Sequence, residues 1–96
     1  MMVRTETMLF GAMPDQRLRF KKHLLVQIER TERGARAWAD EIGEFGYGAS
    51  RGEALHDLGK TIAELYFSLN ADKDRLSKDL EAARASLNEY IEVRRS

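Results

Sequence analysis

The sequence predicts an α+β fold: a three-stranded antiparallel sheet in β-β-β-α order, followed by a second amphipathic helix. Three observations carry this. Apolar residues recur at nearly every second position between Arg17 and Thr31. Ser50 and Glu53 stand in capping-box spacing. Beyond them, Leu55, Leu58, Ile62, Leu65 and Leu69 recur at steps of three and four.

The first strand is expected over about residues 17–31. Leu18, Phe20, Leu24, Val26 and Ile28 share one parity, interrupted by Lys22, while Arg17, Arg19, Lys21, His23, Gln27 and Glu29 share the other. Such alternation belongs to a strand with one buried face. Thr31 to Gly34 ("TERG") reads as a turn in which Gly34 can take positive φ. A second strand over about 35–42 returns antiparallel. Gly43 to Gly48 ("GEFGYG") holds three glycines in six residues, so a short third strand over about 45–49 is expected to pass close beneath the helix it feeds.

The first helix is expected over about 51–69, starting at the Ser50 cap and burying the leucine stripe. "NADKD", Asn70 to Asp74, carries helix-end and helix-start chemistry, and a second helix over about 73–93 follows. Leu69 and Leu76 are one heptad apart, so a single kinked helix is the alternative there. Residues 1–16 form an N-terminal extension to a single domain over 17–96. In it Val3, Thr5 and Thr7 alternate as a strand would, and a frayed tail is the other reading.

Composition narrows the function. With 43% hydrophobic and 33% charged residues, the chain is globular. Sixteen basic residues balance sixteen acidic ones, so there is no overall pull toward nucleic acid or an anionic membrane, and little self-repulsion opposes association. The absence of cysteine removes disulfides, thiolate metal sites and thiol nucleophiles. The longest strictly aliphatic run is Leu24-Leu25-Val26, too short to span a membrane, and a cytoplasmic location is expected.

The segment from Leu24 to Leu69 resembles the HicB-like family of small bacterial proteins. An aliphatic strand (Leu24 to Ile28), a turn glycine (Gly34) and Trp38-Ala39 are followed by Gly43, Gly48, Ser50 and Glu53-Ala54-Leu55, in the family's order and spacing. Family members usually carry prolines, and often a cysteine, near the first motif glycine; "DEIGEF" has neither. The resemblance implies a three-stranded sheet plus helix, likened in that family to a truncated ribonuclease-H-like fold. It also implies an antitoxin-type role, in which the domain neutralises a small HicA-like ribonuclease toxin by covering its active surface. The better-known members add a C-terminal helix-turn-helix or ribbon-helix-helix, whereas here one amphipathic helix follows, so DNA binding is not expected.

Each candidate site also has a plainer role. Arg17, Arg19, Lys21 and His23 form the one local basic cluster, without an interleaved aromatic platform for bases. His23 and His56 are far apart in the chain, and no third residue joins them as a base and its orienter. Asp40, Glu41 and Glu44 cluster before the glycine strand, yet a ribonuclease-H-type metal site needs a carboxylate within the first strand, and Leu24 to Ile28 has none. "GYGASRG" is phosphate-loop-like but lacks the lysine. No cofactor, metal or catalytic residue is therefore expected.

Leu76, Leu80, Ala83, Leu87 and Tyr90 make a second apolar stripe, which the small sheet and one helix leave without an evident partner. These residues are expected at a homodimer or higher oligomer contact. Two function classes follow: an antitoxin-type interaction module, or a freestanding homo-oligomer unrelated to toxins.

Overall fold

A computed structural model describes residues 4–94. In chain order it has β1 (Arg4–Phe10), β2 (Leu18–Phe20), β3 (Leu24–Thr31), β4 (Gly34–Ala39), β5 (Glu44–Gly48), α1 (Arg51–Ala71), a 3₁₀ turn (Lys73–Arg75), α2 (Lys78–Tyr90) and β6 (Ile91–Val93). The fold is α+β, with two helices as expected. Its main sheet has four strands, not three, in the order β1-β3-β4-β5, and a two-stranded ribbon pairs β2 with β6.

All neighbours in the main sheet are antiparallel. Leu24, Val26 and Ile28 of β3, Ala35, Ala37 and Ala39 of β4, and Phe10 of β1 point to one face and are buried there. The apolar alternation of the sequence fixes which face that is, because a one-residue slip would turn every one of these side chains to solvent. α1 lies on this inner face against β4 and β5 and buries Ala54, Leu55, Leu58, Ile62, Ala63 and Leu69. Among the described residues, no polar or charged residue is buried.

The glycines of β5 admit that helix. A Cβ on Gly46 would meet the backbone of α1, 2.6 Å from the Ala54 carbonyl oxygen and 2.8 Å from Leu58 Cα. One on Gly48 would sit 2.6 Å from the Ala54 nitrogen. Neither glycine has positive φ, so close approach is their reason. Positive φ is found at the two turns instead, at Gly34 (φ 145°), which closes the β3–β4 hairpin, and at Gly43 (φ 67°), which closes β4–β5.

Three expectations need correction, and for the N-terminal extension the strand reading is the one found. The strand expected over 17–31 is two strands, broken at Lys21–His23, where Lys22 interrupts the parity; Leu18–Phe20 leaves the main sheet and pairs with Ile91–Val93. The N-terminal extension supplies β1, which pairs along its whole length with β3; Val3 lies outside the described residues. The second strand ends at Ala39, where the 40–43 loop turns the chain. The helix expected over 73–93 runs only from Lys78 to Tyr90, and the 3₁₀ turn and the Ser77 cap make it a separate helix. Ile-Glu-Val at its end extends instead, as β-branched residues that have a strand partner in reach tend to do.

The ribbon and α2 cover the flank of α1 that the main sheet does not reach. Leu18, Leu87 and Ile91 belong to the same buried cluster as the sheet residues, with Phe20, Leu76, Ala83 and Tyr90 packed against it. Phe20 meets Phe10 edge to face at 5.5 Å, which ties the ribbon to the end of β1. The Lys21 amide donates to the Tyr90 carbonyl at 2.7 Å and the Arg94 amide to the Arg17 carbonyl at 2.8 Å, continuing the ribbon beyond its ladder.

Candidate interaction surfaces

Antiparallel sheets expose two edges and two faces, and here these are treated very differently. At the β5 edge, the Tyr47 amide donates to Asp57 Oδ2 of α1 at 2.9 Å, and the Ala49 amide donates to Glu53 Oε2 at 2.8 Å. Two outward donors at this end of the sheet are thus occupied by the chain's own helix, which blunts the edge against a further strand.

The β1 edge has no such cover. Because the Tyr47 amide points away from β4, the alternation of antiparallel hydrogen bonding carries across the sheet and turns the backbone groups of Thr5, Thr7 and Leu9 outward from β3. No hydrogen bond from a side chain to these groups is found among the described residues. The inner-face side chains of β1 are anchored instead: Arg51 Nε of α1 donates to Glu6 Oε1 at 2.7 Å, and Arg51 Nη2 lies 3.1 Å from Met8 Sδ. β1 is fixed from behind and open along its side.

The outer face of the main sheet, opposite α1, is covered by no described element. It presents Leu9 (63% exposed), Leu25 (43%), Phe45 (51%) and Tyr47 (55%), with Trp38 half-buried among them. Phe45 and Tyr47 meet edge to face at 5.4 Å, and the Arg36 guanidinium lies 4.5 Å from the centre of the Trp38 ring. Glu29 and Arg36 face each other across β3–β4 at 4.0 Å. A depression of about 340 Å³ is lined by Trp38, Asp40, Gly43, Phe45 and their neighbours.

The family-motif residues hold structure. Gly43 turns the hairpin, Gly48 passes under α1, and Ala54 and Leu55 are buried on it. Ser50 Oγ accepts the Glu53 amide at 3.2 Å, as the capping box requires, but the Glu53 carboxylate returns to the amide of Ala49 and not to that of Ser50. These bonds and the Arg51–Glu6 pair hold the Ala49 and Glu53 amides and the Arg51 side chain, for which a phosphate at this helix start would have to compete.

The other sequence candidates do not assemble. Arg17 is bound to Asp15 at 2.7 Å and stacks over Phe67 at 4.2 Å; Arg19 is paired with Glu92, and Lys22 with Glu89 at 2.7 Å. Of the basic cluster, Arg17 and Arg19 are therefore committed to contacts within the chain, while Lys21 and His23 are exposed. His23 and His56 are exposed on separate elements. Asp40 belongs to the outer face, and burial pushes the Glu44 carboxyl up, on the opposite side of the pleat. No group of three or more metal-ligating side chains occurs among the described residues.

Of the residues expected at an oligomer contact, Leu87 is 1% exposed and lies in its own chain's core. Leu76, Ala83 and Tyr90 pack partly against that core, and only Leu80 stays open, at 45%. The sequence premise that this stripe lacks an intramolecular face is thus corrected: α1 and the ribbon supply one. Sequence reasoning did not find the outer-face set, although Trp38, Phe45 and Tyr47 share a parity opposite to the alanines of β4 and the glycines of β5.

No protein-family model, curated protein or solved structure matches the chain. No described helix is long and apolar enough to cross a membrane.

Proposed function

We propose that the chain is a non-catalytic protein-interaction module that takes up a strand of a partner protein along β1. The observation that carries this reading is the asymmetry of the sheet edges: at β5 the Tyr47 amide and the adjoining Ala49 amide are held by Asp57 and Glu53, while seven residues of β1 are held in place with outward backbone groups that no described side chain bonds. Strand addition draws its affinity from such main-chain groups and its selectivity from alternate side chains. The chemistry of the remaining candidates supports a binding role, since the histidines are apart, Arg17 and Arg19 are paired, and Asp40 and Glu44 lie on opposite faces. The resemblance of residues 24–69 to HicB-like proteins favours a small HicA-like ribonuclease toxin as the partner, with no DNA-binding function, in a cytoplasmic setting.

Thr7→Pro tests the reading. The Thr7 amide faces the open edge, so proline removes an outward donor without breaking the β1–β3 ladder. A small protein that co-purifies with the wild-type chain from its native cell, and is lost from Thr7→Pro at unchanged melting temperature, is the expected result. Retention of the partner by Thr7→Pro, or a metal-dependent nuclease activity lost on Asp40→Asn, would overturn it.

A further inference from the structure

We infer that the outer face of the main sheet is a self-complementary surface that pairs with the same face of a second copy, about a two-fold axis running along the strands midway between β3 and β4. This surface is separate from the β1 edge.

The face divides into two unlike halves. β4 and β5 present tall side chains, Trp38, Phe45 and Tyr47; β1 and β3 present mostly short or polar ones, Thr5, Thr7 and Gln27, with Leu9 and Leu25 at one end. The strand register sets them in rows: Thr5–Glu29–Arg36–Tyr47 and Thr7–Gln27–Trp38–Phe45, with Leu9–Leu25 beyond them on the two strands β1 and β3. A two-fold axis along the strands lays β1 on the partner's β5 and β3 on the partner's β4, keeping each row in place. The tall half of each copy then covers the short half of the other.

Three consequences follow from the rows alone. Glu29 comes opposite Arg36 of the second copy, and Arg36 opposite its Glu29, so a loose 4.0 Å pair within one chain becomes a four-charge set of alternating sign. Thr7 and Thr5 come under Phe45 and Tyr47 of the second copy. Leu9, the most exposed large apolar side chain among the described residues, comes one row beyond Phe45 of the second copy, on the side of the 340 Å³ depression lined by Trp38 and Phe45. Asp40 lies at the end of the strands, where the rim of a sheet-on-sheet contact stays wet. Aligned packing of twisted sheets, within about 30° of parallel, has this geometry.

Charge agrees with a second copy as occupant, and the small area of the face makes the contact a weak one. The chain has no net charge to oppose association. Four strands at ~4.8 Å spacing and about six residues at ~3.4 Å rise give ~400 Å² in projection. Side-chain relief adds to this, against ~800 Å² per partner in a standard interface. A dimer of micromolar affinity is expected.

Sedimentation velocity of the full chain up to ~100 μM, which brackets a micromolar Kd, reads this directly. Wild type should dimerise. Leu9→Lys and Phe45→Lys, both at exposed positions and so expected to keep the far-UV spectrum and melting temperature, should each weaken the dimer at least ~10-fold. Arg36→Glu should weaken it, and Glu29→Arg with Arg36→Glu should restore it. A wild-type chain monomeric throughout that range would overturn the inference. So would a dimer indifferent to Leu9→Lys and Phe45→Lys, or one dissociated by Leu80→Asp instead. Phe45 lies on β5, away from the β1 edge, so Phe45→Lys should lose the dimer while keeping the strand partner, and the two readings fail separately.

Discussion

Asn70 and Asn88 exchange their side-chain amide hydrogen bonds across the junction of α1 and α2. Asn70 Nδ2 donates to Asn88 Oδ1 at 3.1 Å, and Asn88 Nδ2 donates to Asn70 Oδ1 at 3.2 Å. Arg84 Nε also donates to Asn70 Oδ1, at 3.0 Å, and Asn70 Nδ2 caps the Tyr66 carbonyl at 2.9 Å. A polar network of this kind fixes one relative position of two helices, because its partly buried groups are satisfied in that position alone. It places α2 on its own α1, and next to it Leu87 enters the core.

Asn88→Ala should therefore lower stability by about 1–2 kcal/mol, since it leaves part of the Asn70 amide without a partner. Leu87→Ala should cost about 2–5 kcal/mol through the cavity it opens. Chemical denaturation checks both. Equal, near-zero effects would mean that α2 is not docked on α1 as described.

Gly48→Val should cost on the order of 2 kcal/mol or more by overpacking, because the added carbons meet α1 backbone, which has nowhere to move. Gly46→Ala should act in the same direction from a single methyl group. By contrast, Gly52→Ala, where a Cβ meets nothing within 4 Å, should be tolerated or stabilising. A melting temperature that ranks these three in any other order would remove the close-approach account of the glycine strand.

These substitutions also mark what could be read from sequence. Gly46, Gly48 and Ser50 lie together in the chain, so their spacing alone gave the passage under α1 and its cap. The leucine stripe gave α1 in the same local way. Non-local pairings were less legible. Leu18 and Phe20 continue the parity of β3, and nothing beside them says that their partners are Ile91 and Val93, some seventy residues on. Lys22, the one break in that parity, was the available signal. The stripe of α2 was visible as apolar, but what covered it depended on the ribbon. The open outer face was hidden for a related reason: alternation identifies two faces, and only the position of α1 decides which one is left bare.

Ser50→Ala should destabilise by about 1 kcal/mol, toward the low end for caps because the serine is exposed. Glu53→Ala should add to this, since the same first turn also loses the carboxylate that holds the Ala49 amide. If the two residues act as one box, the double variant will cost less than the sum of the singles in a double-mutant cycle. Strict additivity would show that the two caps are independent.

Asp57→Ala should do two things at once. It removes the acceptor of the Tyr47 amide, an exposed bond to a charged group, at a cost of about 1 kcal/mol. It also reopens the β5 edge, so the variant should aggregate faster than wild type during thermal ramps. Asp57→Asn keeps an acceptor oxygen and should largely preserve both properties. Aggregation kinetics unchanged in Asp57→Ala would mean that Asp57 does not guard the edge.

Acid should loosen the ribbon side of the molecule before the main sheet. Asp15 accepts hydrogen bonds from the Arg17 side chain and backbone, which hold its carboxyl down from 3.8 to about 2. Glu89 is lowered by its hydrogen bond and charge pairing with Lys22. A carboxylate whose pKa is depressed by folding contributes stability that is fully present above its unfolded value and lost as pH falls through its folded value. For Asp15 that window runs from 3.8 down to about 2. Glu44 has the opposite sign: burial raises its pKa, so its contribution is fully present below its ordinary 4.5 and is lost as pH rises through the raised value. Asp15 and Glu89 act where Arg17 stacks on Phe67 of α1 and Lys22 on Tyr90 of α2, contacts that hold the β2 side of the ribbon against the two helices. Because these pairs are exposed, the effect should be modest and should shrink with added salt. Hydrogen exchange at Leu18 and Ile91 should quicken on acidification ahead of Val26 and Ile28. In Asp15→Asn the ribbon should already exchange faster near neutral pH and respond less to acid. Uniform exchange across ribbon and sheet, with the same acid response in Asp15→Asn, would show that these pairs do not tie the ribbon down.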